Sequence, residues 1–118
     1  MTSTLRIGDK VQCGFAFRDA ADNSLVTPAA VSVEIYGPQS GATPLETITD
    51  ADARVQLGSP VAADIAARLL QPGENNDGTG LVKVLVTPDA VGSWTVYCAD
   101  TSESGAEIAQ FRVGAKHG

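Results

Sequence analysis

Residues 11–18 read VQCGFAFR and carry the strongest fold signal in the chain. Val11, Cys13, Phe15 and Phe17 alternate with Gln12, Gly14, Ala16 and Arg18. A period of two sends every second side chain to the same side of an extended chain, so the stretch is expected to be a β-strand with one buried face. Asp19-Ala20-Ala21-Asp22-Asn23-Ser24 comes next and supplies turn chemistry, because Asp and Asn bond their own backbone and tolerate left-handed conformations. Beyond Pro28 the alternation returns, with Val31, Val33 and Ile35 set against Ser32, Glu34 and Tyr36 until Gly37-Pro38 ends it. The two runs are expected to be neighbouring strands joined by a connection of ordinary length.

The same signal governs the C-terminal third. Residues 81–87 form an apolar run broken by Lys83, in which Val82, Val84 and Val86 are taken as the inward set. Pro88-Asp89-Ala90-Val91-Gly92 turns the chain, after which Trp94, Val96 and Cys98 alternate with Thr95, Tyr97 and Ala99. A polar turn over residues 100–105 leads to a last strand, where Ala109, Phe111 and Val113 point one way and Ile108, Gln110 and Arg112 the other. Short strands with turn signals about every ten residues imply an all-β, antiparallel, immunoglobulin-like β-sandwich and not a βαβ fold. A length of 118 residues fits one such domain over 1–118.

Residues 41–80 stand apart. They hold Glu46, Asp50, Asp52, Asp64, Glu74 and Asp77 but only Arg54 and Arg68, so most of the net charge of −6 lies there. Ser59-Pro60 has the form of a helix start, and Val61, Ile65, Arg68 and Leu69 would share one side of a helix beginning there. The spacing predicts a helix over about 60–70, ended by Pro72-Gly73. The segment reads as an acidic elaboration with one short helix inserted into a sandwich. Long loops on rigid scaffolds carry contacts, and Asp50, Asp52, Arg54, Asp64, Arg68, Glu74 and Asp77 form the expected contact segment.

The reactive residues exclude more than they suggest. His117, the one histidine, is the penultimate residue, which removes Ser-His-Asp, Cys-His and histidine-zinc chemistry. Gly78-Thr79-Gly80 runs into an apolar stretch, not a helix carrying Gly-Lys-Ser, so it cradles no phosphate. Glu74-Asn75-Asn76-Asp77-Gly78 has calcium-loop letters without the later glutamate, and reads as a polar surface loop. Eight basic residues scattered along an acidic chain argue against nucleic acid as a partner. No apolar run is long enough to span a bilayer, and residues 1–10 have no basic start leading into an apolar stretch, so neither a membrane partner nor conventional export is expected. No cofactor, no metal and no catalytic residue is expected, and the chain is not read as an enzyme.

Cys13 and Cys98 fall on inward faces of an early and a late strand. Such strands oppose each other in a sandwich, and a disulfide there would contribute about 4–5 kcal/mol by loop entropy. The alternative is two buried thiols acting as small hydrophobes, which the missing export signal favours. Trp94 reads as a core anchor.

The order Gly8-Asp9, Phe15-x-Phe17-x-Asp19, Leu25-Val26-x-Pro28, Val31-x-Val33-x-Ile35-Tyr36-x-Pro38, Gly92-x-Trp94-x-Val96 and Phe111-x-Val113 resembles small immunoglobulin-like proteins encoded among the head and neck genes of tailed bacteriophages. The match covers residues 8–38 and 82–113; Asp22-Asn23-Ser24 replaces the family's usual Asp-Gly turn, and 41–80 is longer than in the plainest members. The resemblance implies a structural part of the virion, assembled in the host cytoplasm, with no catalytic residues. The leading expectation is a capsid decoration or cement protein on the outer surface of the major capsid protein lattice, a homo-oligomer for which a trimer is compatible. The alternatives are a neck or tail-adaptor ring component, contacting other virion proteins, and an adhesin-like module binding a glycan or protein through Tyr36 and Tyr97, the only tyrosines and both on outward faces. Besides the acidic segment, the ends 1–4 and 114–118 are expected to make contacts.

Overall fold

The computed structural model describes residues 5–101 and 105–114. The ends 1–4 and 115–118, His117 among them, and residues 102–104 of the polar turn lie outside the described residues. The chain forms two antiparallel sheets and one helix: β1 (Val11–Ala16), β2 (Val31–Tyr36), β3 (Glu46–Thr49), β4 (Val55–Leu57), α1 (Ala63–Leu69), β5 (Leu81–Val86), β6 (Gly92–Asp100) and β7 (Ala106–Val113). One sheet has the order β1-β5-β4 and the other β3-β2-β6-β7. The all-β antiparallel sandwich expected from the alternating runs is therefore the fold.

The registers explain why the stripes meet. Cys13 pairs with Val84, and Val84 in turn with Val55; in the facing sheet Ile48 pairs with Val33 and Val33 with Cys98. Each row presents apolar side chains inward, and all join one core cluster between the sheets. Val11, Cys13, Phe15, Phe17, Val31, Val33, Ile35, Val82, Val84, Val86, Trp94, Val96, Cys98 and Val113 are buried. Phe111, expected with them, is only partly buried. It stacks on Trp94 at 6.1 Å and 5°, but β7 is an edge strand, so among the described residues no further strand covers its outer flank.

Two expectations are corrected. β1 and β2 are not paired: they lie in opposite sheets, because each offers a single apolar face and the sandwich buries one against the other. Phe17 stays tied to the first sheet through its N–H on the Gly80 carbonyl at 2.8 Å, and Asn23, at φ +63°, turns the chain beyond it. The segment 41–80 is more than a connection, since it supplies β3 and β4, an edge strand of each sheet, with Ile48 and Val55 in the core.

The helix is shorter than expected. Ser59 does not cap it; its hydroxyl bonds Gln56 at 3.2 Å, and the helix begins only at Ala63. The amides ahead of it are satisfied from a distance, Val61 N–H by Asn76 Oδ1 at 3.0 Å and Ala62 N–H by Gln12 Oε1 at 2.6 Å. Ile65 and Ala66 are buried while Arg68 is exposed, so the buried stripe runs through Ala66 and not Arg68. With Val61 and Leu81 they form a second cluster on the outer face of the β1-β5-β4 sheet. Gly14 allows this packing, since a Cβ there would lie 2.5 Å from Ile65 Cγ2. Among the described residues, one sheet is thus covered on its outside and the other is bare.

Candidate functional site

The acidic segment is mostly engaged in holding the molecule together. Arg54 lies between Asp52 and Glu46, donating to Asp52 at 2.9 and 3.0 Å and to Glu46 at 2.5 and 3.0 Å. The guanidinium holds the Asp52 carboxyl down at about 2 and lowers that of Glu46, while the two carboxylates push the Arg54 pKa up. Glu46 opens β3 and Arg54 immediately precedes β4, so the pair latches the two sheets along one side of the sandwich.

The remaining charges divide similarly. Asp50 Oδ1 accepts from Val31 N–H at 3.1 Å, and Asp77 Oδ1 accepts from Thr79 N–H at 3.0 Å. Glu74 receives both arms of Arg18 and the Gln71 N–H at 2.7 Å, which hold its carboxyl at about 2. Asn76 grips Val61 on both sides, its amide donating to Val61 O at 2.7 Å. The polar stretch 74–78 is a largely exposed loop, as expected, and its Glu74 and Asn76 side chains also latch the chain on either side of the helix. Asp64 and Arg68 stay exposed on α1, where Arg68 Nε reaches only the Asp64 carbonyl at 3.4 Å.

Two open features remain, and the first takes in Asp64 and Arg68. Opposite the Arg54 latch, the edge strands β1 and β7 border a groove of about 490 Å³ roofed by α1 and lined by Leu5, Gln12, Ile65, Leu69, Ile108 and Phe111, with Lys10, Asp64 and Arg68 also in its lining. Ile108 is 58% exposed. The outer edge of β7 is met, among the described residues, only where Leu5 bridges Val113 and its carbonyl accepts from Gly114 N–H at 2.9 Å.

A second feature is the bare face of the four-stranded sheet. The register sets Glu34 opposite Tyr97 and Tyr36 opposite Thr95. The tyrosine rings meet edge to face at 5.3 Å and 79°, beside a shallow depression of about 810 Å³ that Ser93 and the turn residues Gly37, Pro38, Gly41 and Ala42 complete. Burial, Glu34 and Tyr97 together raise the Tyr36 phenol pKa. Sequence alternation placed both tyrosines on this face together with Glu34 and Thr95; that these and Ser93 border one depression had no local signal, because it follows from the pairing of β2 with β6.

Cys13 and Cys98 are buried free thiols, each pushed up to about 12 by burial, with Asp100 and Glu107 adding to the shift at Cys98. Every carboxylate with a resolved shift is lowered by hydrogen bonds. Among the described residues no three His, Cys, Asp or Glu side chains cluster to hold a metal ion, and no helix is long and apolar enough to cross a membrane.

Fold and surface together define a two-sheet β-sandwich with a structural core, an internally paired acidic segment, one groove between sheet edges and one bare sheet face. No family model, no curated protein and no solved structure matches the chain significantly.

Proposed function

We propose that the chain is a structural protein of a tailed-bacteriophage virion, a decoration protein bound to the outer surface of the major capsid protein lattice. The strand order β1-β5-β4 against β3-β2-β6-β7 supports the immunoglobulin-like reading on which the phage resemblance rests. The groove between β1, α1 and β7 is the observation that carries a docking role. Two sheet edges and the exposed Ile108 border it on the side of the sandwich away from the Arg54 latch, where a neighbouring protein gains both apolar contact and strand-edge hydrogen bonds. Carboxylates held low by internal partners support a role without acid-base chemistry, because a general acid needs its pKa raised. Small area per copy suffices when many copies engage a repeating lattice.

The test is copy number in purified particles, by quantitative mass spectrometry against the major capsid protein, combined with an Ile108→Asp variant. Hundreds of copies per particle, lost in the variant while its melting temperature holds, are expected. A count of about a dozen moves the protein to the neck, and absence from particles removes the virion reading.

A further inference from the structure

We propose that the depression bordered by Tyr36 and Tyr97 binds an uncharged saccharide unit. This inference is independent of the virion role, since it rests on the bare face of the four-stranded sheet and not on the groove.

The side chains there are arranged for a ligand that is half apolar and half hydroxylated. Tyr36 and Tyr97 meet edge to face, so their rings form a corner instead of closing on each other, and Tyr97 is 37% exposed. A pyranose ring offers C–H faces that pack on such rings and hydroxyls that need donors and acceptors around them. Those groups are present: the Glu34 carboxylate accepts, and the Thr95 and Ser93 hydroxyls and the two phenols do both. Among the described residues, the side chains of Glu34 and Thr95 and both phenols make no hydrogen bond within the protein, and Ser93 Oγ accepts only a 3.3 Å bond from Arg112. Burial first, and then the charge of Glu34 and the neighbouring Tyr97, raise the Tyr36 phenol pKa. Gly37, Gly41 and Ala42 line the site with almost no side-chain bulk, which leaves it wide enough for a sugar ring.

Charge selects among saccharides. The lining holds one carboxylate and no cation, in a chain of net charge −6, so a sialylated or phosphorylated sugar is repelled. The nearby cation Arg112 is tied to the Ser93 hydroxyl. The open, shallow shape argues against an enclosed cofactor and against the dry pocket that anchors a protein hot spot.

The experiment uses the full chain. A glycan array of neutral and sialylated oligosaccharides identifies a binder, and its methyl glycoside is titrated into isotopically labelled protein with amide shifts recorded. Shifts confined to residues 34–42 and 93–97 are expected, with binding weakened about tenfold or more by Tyr97→Ala, an exposed position where the melting temperature should hold. Glu34→Gln should also weaken binding, through loss of the charged acceptor, and it reports independently if Tyr97→Ala fails to fold. Three results overturn the proposal: no neutral glycan bound at millimolar glycoside, shifts centred on the β1-β7 groove, or a preference for sialylated glycans.

Discussion

Arg18 and Glu74, 56 positions apart, form a two-armed ion pair, with Nη1 on Oε2 at 2.6 Å and Nη2 on Oε1 at 2.7 Å. Arg18 Nη2 also donates to the Leu69 carbonyl at 3.0 Å, so one guanidinium ties the chain just beyond β1 to the last turn of α1 and to the loop after it. The pair makes stability depend on acid. Glu74 is lowered from its usual 4.5 to about 2, and Asp52 likewise falls from 3.8 to about 2. A carboxylate with a depressed folded-state pKa contributes stability above its unfolded pKa and loses it as pH falls through the folded one. The melting temperature should therefore drop progressively as pH falls from about 4.5 to about 2, and Glu74→Gln, already lacking the charge, should drop less steeply over that window.

Gly14 should be intolerant of even a methyl group. Its missing Cβ leaves room for Ile65, Val61 and Leu69, whose atoms would stand 2.5, 3.2 and 3.3 Å from an added one. The 2.5 Å contact forces α1 away from β1. Gly14→Ala is expected to cost about 1–3 kcal/mol in urea unfolding, whereas Ala16→Gly, a change on the same face without overpacking, should cost about 1 kcal/mol or less.

How far the sequence carried the fold depends on how many core residues each strand holds. β1, β2, β5 and β6 each bury at least three side chains in alternation, enough for a period of two to be read. β3 buries only Ile48 and β4 only Val55, and a single buried residue has no period. Both strands are fixed instead by tertiary pairing and by the Arg54 latch, which no local pattern announces. The helix was legible but its start was not, because its leading amides are satisfied by Gln12 and Asn76 from other parts of the chain. The contact surface expected at 41–80 rested on the length of the segment and on its charges. The partners of its carboxylates, Arg54 within the segment and Arg18 well outside it, are visible only once the chain is folded.

Trp94 should be the most costly single truncation in the core. It is 2% exposed, donates from Nε1 to the Ala90 carbonyl at 3.0 Å, and packs its ring edge near Gly37. Trp94→Ala removes the largest buried side chain and leaves Phe111 stacked on nothing, at an expected cost of about 3–5 kcal/mol. Trp94→Phe keeps a ring but orphans the Ala90 carbonyl, and should fall between the two proteins in chemical denaturation.

The cysteines give a prediction at the other end of the pH scale. Cys13 and Cys98 are buried as thiols, and exclusion of water from the thiolate pushes each from 9.0 up to about 12. Native protein should therefore resist iodoacetamide at pH 8, and denatured protein should take up two equivalents. A neutral buried thiol contributes no pH dependence below its unfolded pKa, but as pH rises from about 9 toward about 12 the unfolded chain loses protons that the folded chain keeps. Stability should fall over that range. Replacing both cysteines by valine, which matches the Val84 paired with Cys13 and the Val33 paired with Cys98, should flatten the alkaline fall that the thiols cause. A double variant that loses stability above pH 9 as steeply as the parent would place the alkaline sensitivity elsewhere.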